Sequence, residues 1–266
     1  MIPRAQIQEW RNLGYPWKTD AMVEQDLIIT RVLVELFEDE KIASYLIFRG
    51  GTALHKLFLD EPLRYSEDID LVQLNPGPIG LVFDAIRDRF YDWLVEPKRK
   101  TGPDTATLSY KVESEDQPPL PLRIKIEINI REHSPILPIA YKKLKMSSRW
   151  FNGESKIQVH QLEELLATKL RALYQRRKGR DLFDLAHALR MLPVDSNVVV
   201  KTFEKYLETE GNRISASDFR INMAAKLKHP GFARDCDPIL RPGIKTDLEE
   251  DYDLINRKLI SLFSHV

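Results

Sequence analysis

The chain has 266 residues, enough for one large or two modest domains, and its 43% hydrophobic content is enough to build a core. Forty basic residues balance 40 acidic ones, so overall charge points to no nucleic-acid partner and any basic surface must be local. The single cysteine, Cys236, excludes a disulfide framework and a cysteine-based zinc site.

A lone thiol fits a reducing compartment. The segment Met1–Asn12 has no apolar core of signal-peptide length, and no run approaches the ~20 apolar residues needed to cross a bilayer. The expectation is a cytoplasmic protein with no membrane partner.

In chain order, Val23, Leu27, Ile28, Val32, Leu33, Leu36 and Phe37 recur at helical spacing and predict a helix over 21–39, with Arg31 facing out. The apolar run 45–48 predicts a buried strand, which Gly50-Gly51 ends. Thr52 opens or caps a second helix over 53–59, stopped before Pro62. Ile69, Leu71 and Val72 mark another strand. A helix is expected over 79–93 and a strand over 105–112, and Pro118–Pro121 makes a stiff turn or a short extended linker.

The clearest pattern is Arg123–Arg131. Ile124, Ile126, Ile128 and Ile130 share one face; Arg123, Lys125, Glu127, Asn129 and Arg131 share the other. Strict alternation of this kind is a strand with one face in the core. From about Gln161 the period is helical, over 161–177, 180–192, 197–208, 217–228 and 250–263, with a Pro- and Gly-bearing loop over 229–246. The expected architecture is α+β: a mixed sheet with flanking helices over 1–150, then a helical bundle over 151–266.

Asp68 and Asp70 fall on one face of their strand. In isolation such a pair also fits an acidic strand end in solvent. Glu127, mid-way along the polar face of its own strand, by itself also fits a cross-strand ion pair with Lys125 or an arginine. If the two strands pair, the three carboxylates converge, and a hard divalent cation would relieve their repulsion. Gly50-Gly51 lets backbone approach a ligand. The helix start behind it offers N–H groups and a positive dipole end to phosphate, with the Thr52 hydroxyl beside them. A plain strand-to-helix turn explains the glycines equally, and no P-loop lysine ending is present. Together the parts suggest metal-assisted phosphoryl or nucleotidyl transfer.

Gly50-Gly51-Thr52, Ser66-Glu-Asp-Ile-Asp70 and Lys125-Ile-Glu127 resemble the DNA polymerase β-like nucleotidyltransferase superfamily. More narrowly, GGTALHK, RYSEDIDL, IKIEINIRE, LLATKLRAL and GRDLFDL, in that order, resemble the AbiEii toxin family, which includes the MenT-type toxins. The likeness runs from Val23 to Leu185. The long interval from Gly51 to Asp68, and Thr52 after the second glycine, depart from the wider superfamily and suit this branch.

The resemblance implies a nucleotidyltransferase with an NTP at Gly50, Gly51 and Thr52 and Mg²⁺ or Mn²⁺ on Asp68, Asp70 and Glu127. It implies a toxin of a type IV toxin–antitoxin or abortive-infection system, hence phage defence, with an RNA or tRNA 3′ end as acceptor and an AbiEi-type antitoxin as partner. A small-molecule acceptor such as an antibiotic, or a binding module without catalysis, are the alternatives. Arg64 and Ser66 lie in the family pattern before the aspartates, to contact phosphate or brace the loop. Lys56, one turn into the helix, is a further nucleotide ligand or faces solvent.

The family also places a lysine and an aspartate on later helices. With Leu162 at zero, Leu165, Leu166, Leu170 and Leu173 fall between about 300° and 80°, and Lys169 falls at about 340°, inside that apolar stripe. A lysine there needs a partner for its head or must snorkel to solvent; a phosphate is the expected partner. Asp181 and Asp184 fit a helix N-cap with an acid three residues on, and the family makes one of them functional, with Asp184 favoured. His55, His133, His160 and His187 show no metal spacing. Two basic runs, Lys169–Arg180 and Lys142, Lys143, Lys145 with Arg149, are either solvated faces or RNA-backbone contacts.

Overall fold

The stretch over 20–38 is apolar on nearly every side, and such a helix must be enclosed rather than laid on a surface. The computed structural model describes residues 2–264 and encloses this helix. After α1 (Arg4–Asn12), helix α2 (Asp20–Glu38) is capped by the Thr19 hydroxyl and buries most of its length, including Val23, Leu27, Ile28, Val32, Leu33 and Leu36. Helix α3 (Glu40–Tyr45) then leads into strand β1 (Leu46–Arg49).

Helix α4 (Gly50–Leu57) follows β1 without a loop and is succeeded by β2 (Asp68–Gln73), α5 (Gly80–Phe90), β3 (Lys98–Thr101), β4 (Thr105–Glu113) and β5 (Pro121–Asn129). The hairpin β6 (Ala140–Ser147) and β7 (Asn152–Val159) closes this part. Among the described residues the strands form one mixed sheet in the order β3-β4-β5-β2-β1-β7-β6. Strand β2 runs antiparallel to β1 and parallel to β5. The isoleucines of β5 are buried as the alternation requires: Ile124, Ile126 and Ile128 are fully enclosed.

The chain divides into two units, one of residues up to Pro135 with Ile139–His160, the other of Ile136–Pro138 with the chain from Gln161. The division expected at 150 falls inside the β6–β7 hairpin, because β7 pairs with both β6 and β1 and so belongs to the sheet. The second unit is helical: α6 (Leu162–Gln175), α7 (Gly179–Met191), α8 (Ser196–Thr209), α9 (Ala216–Leu227), the short α10 (Pro230–Ala233), α11 (Leu248–Lys258) and a 3₁₀ turn over Ile260–Leu262. The buried Glu164 carboxylate accepts from the N–H groups of Ile136 (2.7 Å) and Leu137 (3.0 Å) and from the Tyr206 hydroxyl (2.7 Å), which binds the Ile136–Pro138 strap to this unit. No helix is long and apolar enough to cross a membrane among the described residues.

Arg31 does not face out. Its guanidinium lies 3.9 Å from the Trp93 ring centroid and 4.7 Å from that of Trp150, and its Nε donates to Glu35 at 2.6 Å. Stacking between tryptophans gives a guanidinium a partly buried place that a helical period does not reveal.

Candidate active site

The first unit builds its polar centre where β1 breaks into α4. Gly50 has φ of +82°, a conformation that favours glycine, and a Cβ there would overlap the Asp70 carboxylate. Both facts require glycine, and the second explains why: the turn lies directly against Asp70. The N-cap residue Arg49 makes no side-chain capping hydrogen bond to α4.

Thr52 is committed differently from the expectation of a phosphate-facing hydroxyl. Its Oγ1 donates to the Asp68 carbonyl at 2.5 Å and lies 2.9 Å from the Ser66 hydroxyl, so Thr52 and Ser66 tie the helix start to the entry of β2. Arg64 is buried and donates to the Tyr65 carbonyl at 2.8 Å. Lys56 does not face solvent. Its ammonium lies 3.0 Å from Asp26 and 2.8 Å from the Thr30 hydroxyl, and Asp26 also accepts from the Trp10 indole at 3.0 Å. Lys56 and Arg64 line one small internal cavity with Tyr15, Trp17, Asp26 and Ser66. Of the two roles open to Arg64, bracing is the one this geometry supports. Asp26 was invisible in the sequence because its partner stands a full element away.

On the sheet, β2 and β5 pair in register, with Asp70 opposite Glu127 and Asp68 opposite Lys125. The three carboxylates are therefore neighbours. They are not gathered as a ready cage: among the described residues no group of three or more His, Cys, Asp or Glu is arranged to hold a metal ion. The physical reason is Lys125. Its ammonium lies 2.8 Å from Glu127 Oε2 on its own strand and 3.8 Å from Asp68 Oδ1 on the neighbouring one. Arg49, which sequence reasoning passed over, pairs in register with Asp70 and reaches Glu132 at 2.9 Å. Its only sequence signal is its place directly before the glycines.

The charges do not balance. Lys125 and Arg49 oppose three carboxylates, and the half-buried Asp70 carboxyl is pushed up to about 6 by desolvation, then by Asp68 and Glu127, against the relief from Arg49 and Lys125. Burial opposes the Lys125 ammonium, yet the Glu127 hydrogen bond and the carboxylates around it hold it above the ordinary lysine range. Hard oxygen donors with excess negative charge are the chemistry a divalent cation suits, so Asp68, Asp70 and Glu127 fit such an ion as donors.

In the second unit the apolar stripe of α6 buries Leu165, Leu166, Leu170 and Leu173, and Lys169 with them at 7% exposure. Lys169 does not snorkel. Its ammonium lies 2.6 Å from Asp184 Oδ2 and 3.5 Å from Asp181 Oδ1. The partner in place is thus a pair of carboxylates, where a phosphate was expected. Arg176 grips Asp181 through Nε at 2.7 Å and Nη2 at 2.8 Å. Desolvation would push Asp181 up, but Arg176 and Lys169 hold it below the usual carboxylate range.

Asp181 is not an N-cap. That place falls to Lys178, without a side-chain hydrogen bond, and Asp235 accepts from the Arg180 N–H at 3.1 Å instead. A Cβ on Gly179 would overlap the Phe232 carbonyl, so the Gly-Arg-Asp turn fixes the approach of α7 to its neighbours.

The basic run Lys169–Arg180 is largely neutralised. Besides Lys169 and Arg176, Arg171 pairs with Glu210 at 2.9 Å, and Lys178 and Arg180 both lie near Asp235 at 3.4 and 3.8 Å. It is therefore not a free basic face. Lys142, Lys143 and Lys145 lie exposed on the edge strand β6, where Lys143 pairs with Glu154 at 2.8 Å and Lys142 covers the Phe58 ring. The four histidines singled out belong to no metal group among the described residues.

Residues 31–254 match the family described as nucleotidyl transferase AbiEii toxin, type IV TA system. No curated protein matches the chain in sequence. The fold is similar to that of MenT4, the nucleotidyltransferase toxin Rv2826c from Mycobacterium tuberculosis H37Rv, at TM-score 0.64 and 14% identity over 98% of this chain and 90% of that one. It is also similar to JHP933 from Helicobacter pylori, at TM-score 0.55 and 16% identity over 92% of each chain. A putative nucleotidyltransferase from H. pylori aligns at TM-score 0.51 and 18% identity over 93% of this chain and 100% of that one. The chain belongs to the AbiEii family of nucleotidyltransferase toxins of type IV toxin–antitoxin systems.

Proposed function

We propose that this nucleotidyltransferase transfers a nucleoside monophosphate from an NTP to an RNA acceptor, a tRNA 3′ end in the first instance, with Mg²⁺ or Mn²⁺ held by Asp68, Asp70 and Glu127. The observation that carries this reading is the contact of the Gly50 turn with Asp70, which stands in register with Glu127. A triphosphate against the Gly50–Gly51 backbone would bring its oxygens beside those carboxylates. The N–H groups at the start of α4, which the Arg49 side chain does not cap, would receive the phosphate charge. A bound divalent ion would supply charge neutralisation and a lowered pKa for the attacking hydroxyl.

Thr52 and Ser66 serve by fixing Asp68 through its own carbonyl, and Lys56 and Arg64 by bracing the turn. Family resemblance supports Lys169 and Asp184 as functional residues. Their 2.6 Å ion pair supports reading them as one preorganised set, in which Asp181 is held by Arg176. Lys142, Lys145 and Arg149 are the exposed cations suited to an RNA backbone. The setting is cytoplasmic, in an abortive-infection or phage-defence role, with an AbiEi-type antitoxin as partner.

Incubation of each of four α-³²P-labelled NTPs with either total RNA or small hydroxylated compounds tests this. Label on RNA with one NTP, lost in Asp70→Asn, is the expected result. Label only on small hydroxylated compounds would move the acceptor to that class, and no transfer to either would overturn the reading.

A further inference from the structure

We propose that Lys125 is the counter-cation of the carboxylate site in its metal-free form, and that it leaves Glu127 when a divalent ion enters together with a nucleotide. This rests on reading Asp68, Asp70 and Glu127 as the metal ligands.

Lys125 and Glu127 stand two residues apart on the polar face of β5, and the register sets them opposite Asp68 and Asp70 respectively. The Lys125 ammonium thus lies between the two acids nearest it, 2.8 Å from one and 3.8 Å from the other. An ammonium and a divalent cation compete for the same lone pairs, and both cannot occupy them. The same competition explains why three adjacent carboxylates form no ready metal group.

Lys125 can yield. Its side chain is 27% exposed and that of Glu127 33%, so the pair is partly solvated and sits on a flexible four-carbon stem. An ion arriving alone must displace Lys125 into water. An ion arriving with a triphosphate brings new anionic oxygens, to which the freed ammonium can turn while fully charged throughout. Lys125 therefore couples the two ligands: each raises the affinity for the other, by the same factor. Metal without nucleotide is held off.

Mn²⁺ binding followed by EPR, with and without a non-hydrolysable NTP analogue, tests the coupling on the full chain. Without nucleotide, Lys125→Met and Lys125→Gln should each tighten Mn²⁺ binding about tenfold, and Lys125→Arg, which keeps the charge, should stay within about twofold of the parent. In Lys125→Met and Lys125→Gln the further gain on adding the analogue should shrink. Asp70→Asn checks the reading beneath: if it leaves Mn²⁺ binding unchanged, the metal site itself is wrong. If Asp70→Asn weakens Mn²⁺ binding while neither neutral Lys125 variant tightens it, the metal site stands and the role of Lys125 is overturned.

Discussion

The two units each gather acids and bases around a functional candidate, and they balance them in opposite ways. In the helical unit, Asp181 and Asp184 have fully buried side chains, with Lys169 and Arg176 to match, and distances of 2.6 to 2.8 Å leave their charge answered. In the sheet unit, Asp68, Asp70 and Glu127 keep contact with solvent and outnumber Lys125 and Arg49, and Asp70 is pushed up to about 6. A closed cluster holds helices in place and loses stability when one member is removed. An open cluster with excess charge is destabilised until something enters it, which is how binding sites differ from struts.

The largest effect expected from this contrast is on activity. Asp70→Asn should cut nucleotidyl transfer about a thousandfold, a loss of the size seen when a group stabilising transition-state charge is removed. Its melting temperature should hold or rise, since an amide there relieves repulsion. Retained transfer, or a collapse of the melt, would break the comparison. Lys169→Met should differ in destabilising the fold as well, by about 3 kcal/mol, because it removes a cation 2.6 Å from the buried Asp184 and 3.5 Å from the buried Asp181. Adding Asp184→Leu should recover part of that in a chemical denaturation series. If Lys169→Met unfolds at the parent's denaturant midpoint, the cluster is no strut.

How much of this the sequence displays depends on whether a residue's partner is local. The alternation of β5 showed its buried face, and with it the shared polar face of Lys125 and Glu127. The helical period exposed Lys169 as a cation out of place. It could not name the partner, and local spacing gave a false one: Asp181 and Asp184 mimic a cap and its acid, while the residue that holds Asp181 is Arg176, outside α7. Lys56 reads as a surface lysine until Asp26, 30 positions away, is folded against it. The β6–β7 hairpin was missed because its lysines mask a short alternation, with Leu144 and Met146 on β6 and Ser155, Ile157 and Val159 on β7 as the buried positions. The sheet order, which makes neighbours of Asp70 and Glu127, is a property of long-range pairing and leaves no local mark.

Gly50→Ala asks whether the open cluster depends on its turn. The added Cβ meets the Asp70 carboxylate, and a φ of +82° strains any side chain, for a cost of about 1–2 kcal/mol. Transfer should fall further than that stability change explains, because Asp70 itself must shift. Gly80→Ala, at a helix start with open space around it, should leave both unchanged. Equal effects of the two in a melt and a transfer assay would mean that the Gly50–Asp70 contact does nothing for the site.

The smallest effect sharpens what excess negative charge costs when no ligand relieves it. Glu24 on α2 is buried at 2% exposure and accepts from the Glu115 N–H at 3.0 Å. Burial pushes its carboxyl up to about 7, aided by the charges of Glu115 and Asp116 and opposed by that hydrogen bond. A carboxyl raised in the folded state keeps its proton between about 4.5 and 7 while the unfolded chain has lost it, so stability falls as pH rises through that window and stays low above it. Glu24→Gln keeps an acceptor for Glu115 and removes the charge. It should be more stable than the parent by about 1 kcal/mol at pH 8, with the difference vanishing toward pH 4.5, in paired urea titrations across that range. A constant offset at every pH would mean that Glu24 is ionised at no cost, and that burial alone does not separate a strained carboxylate from a settled one in this unit.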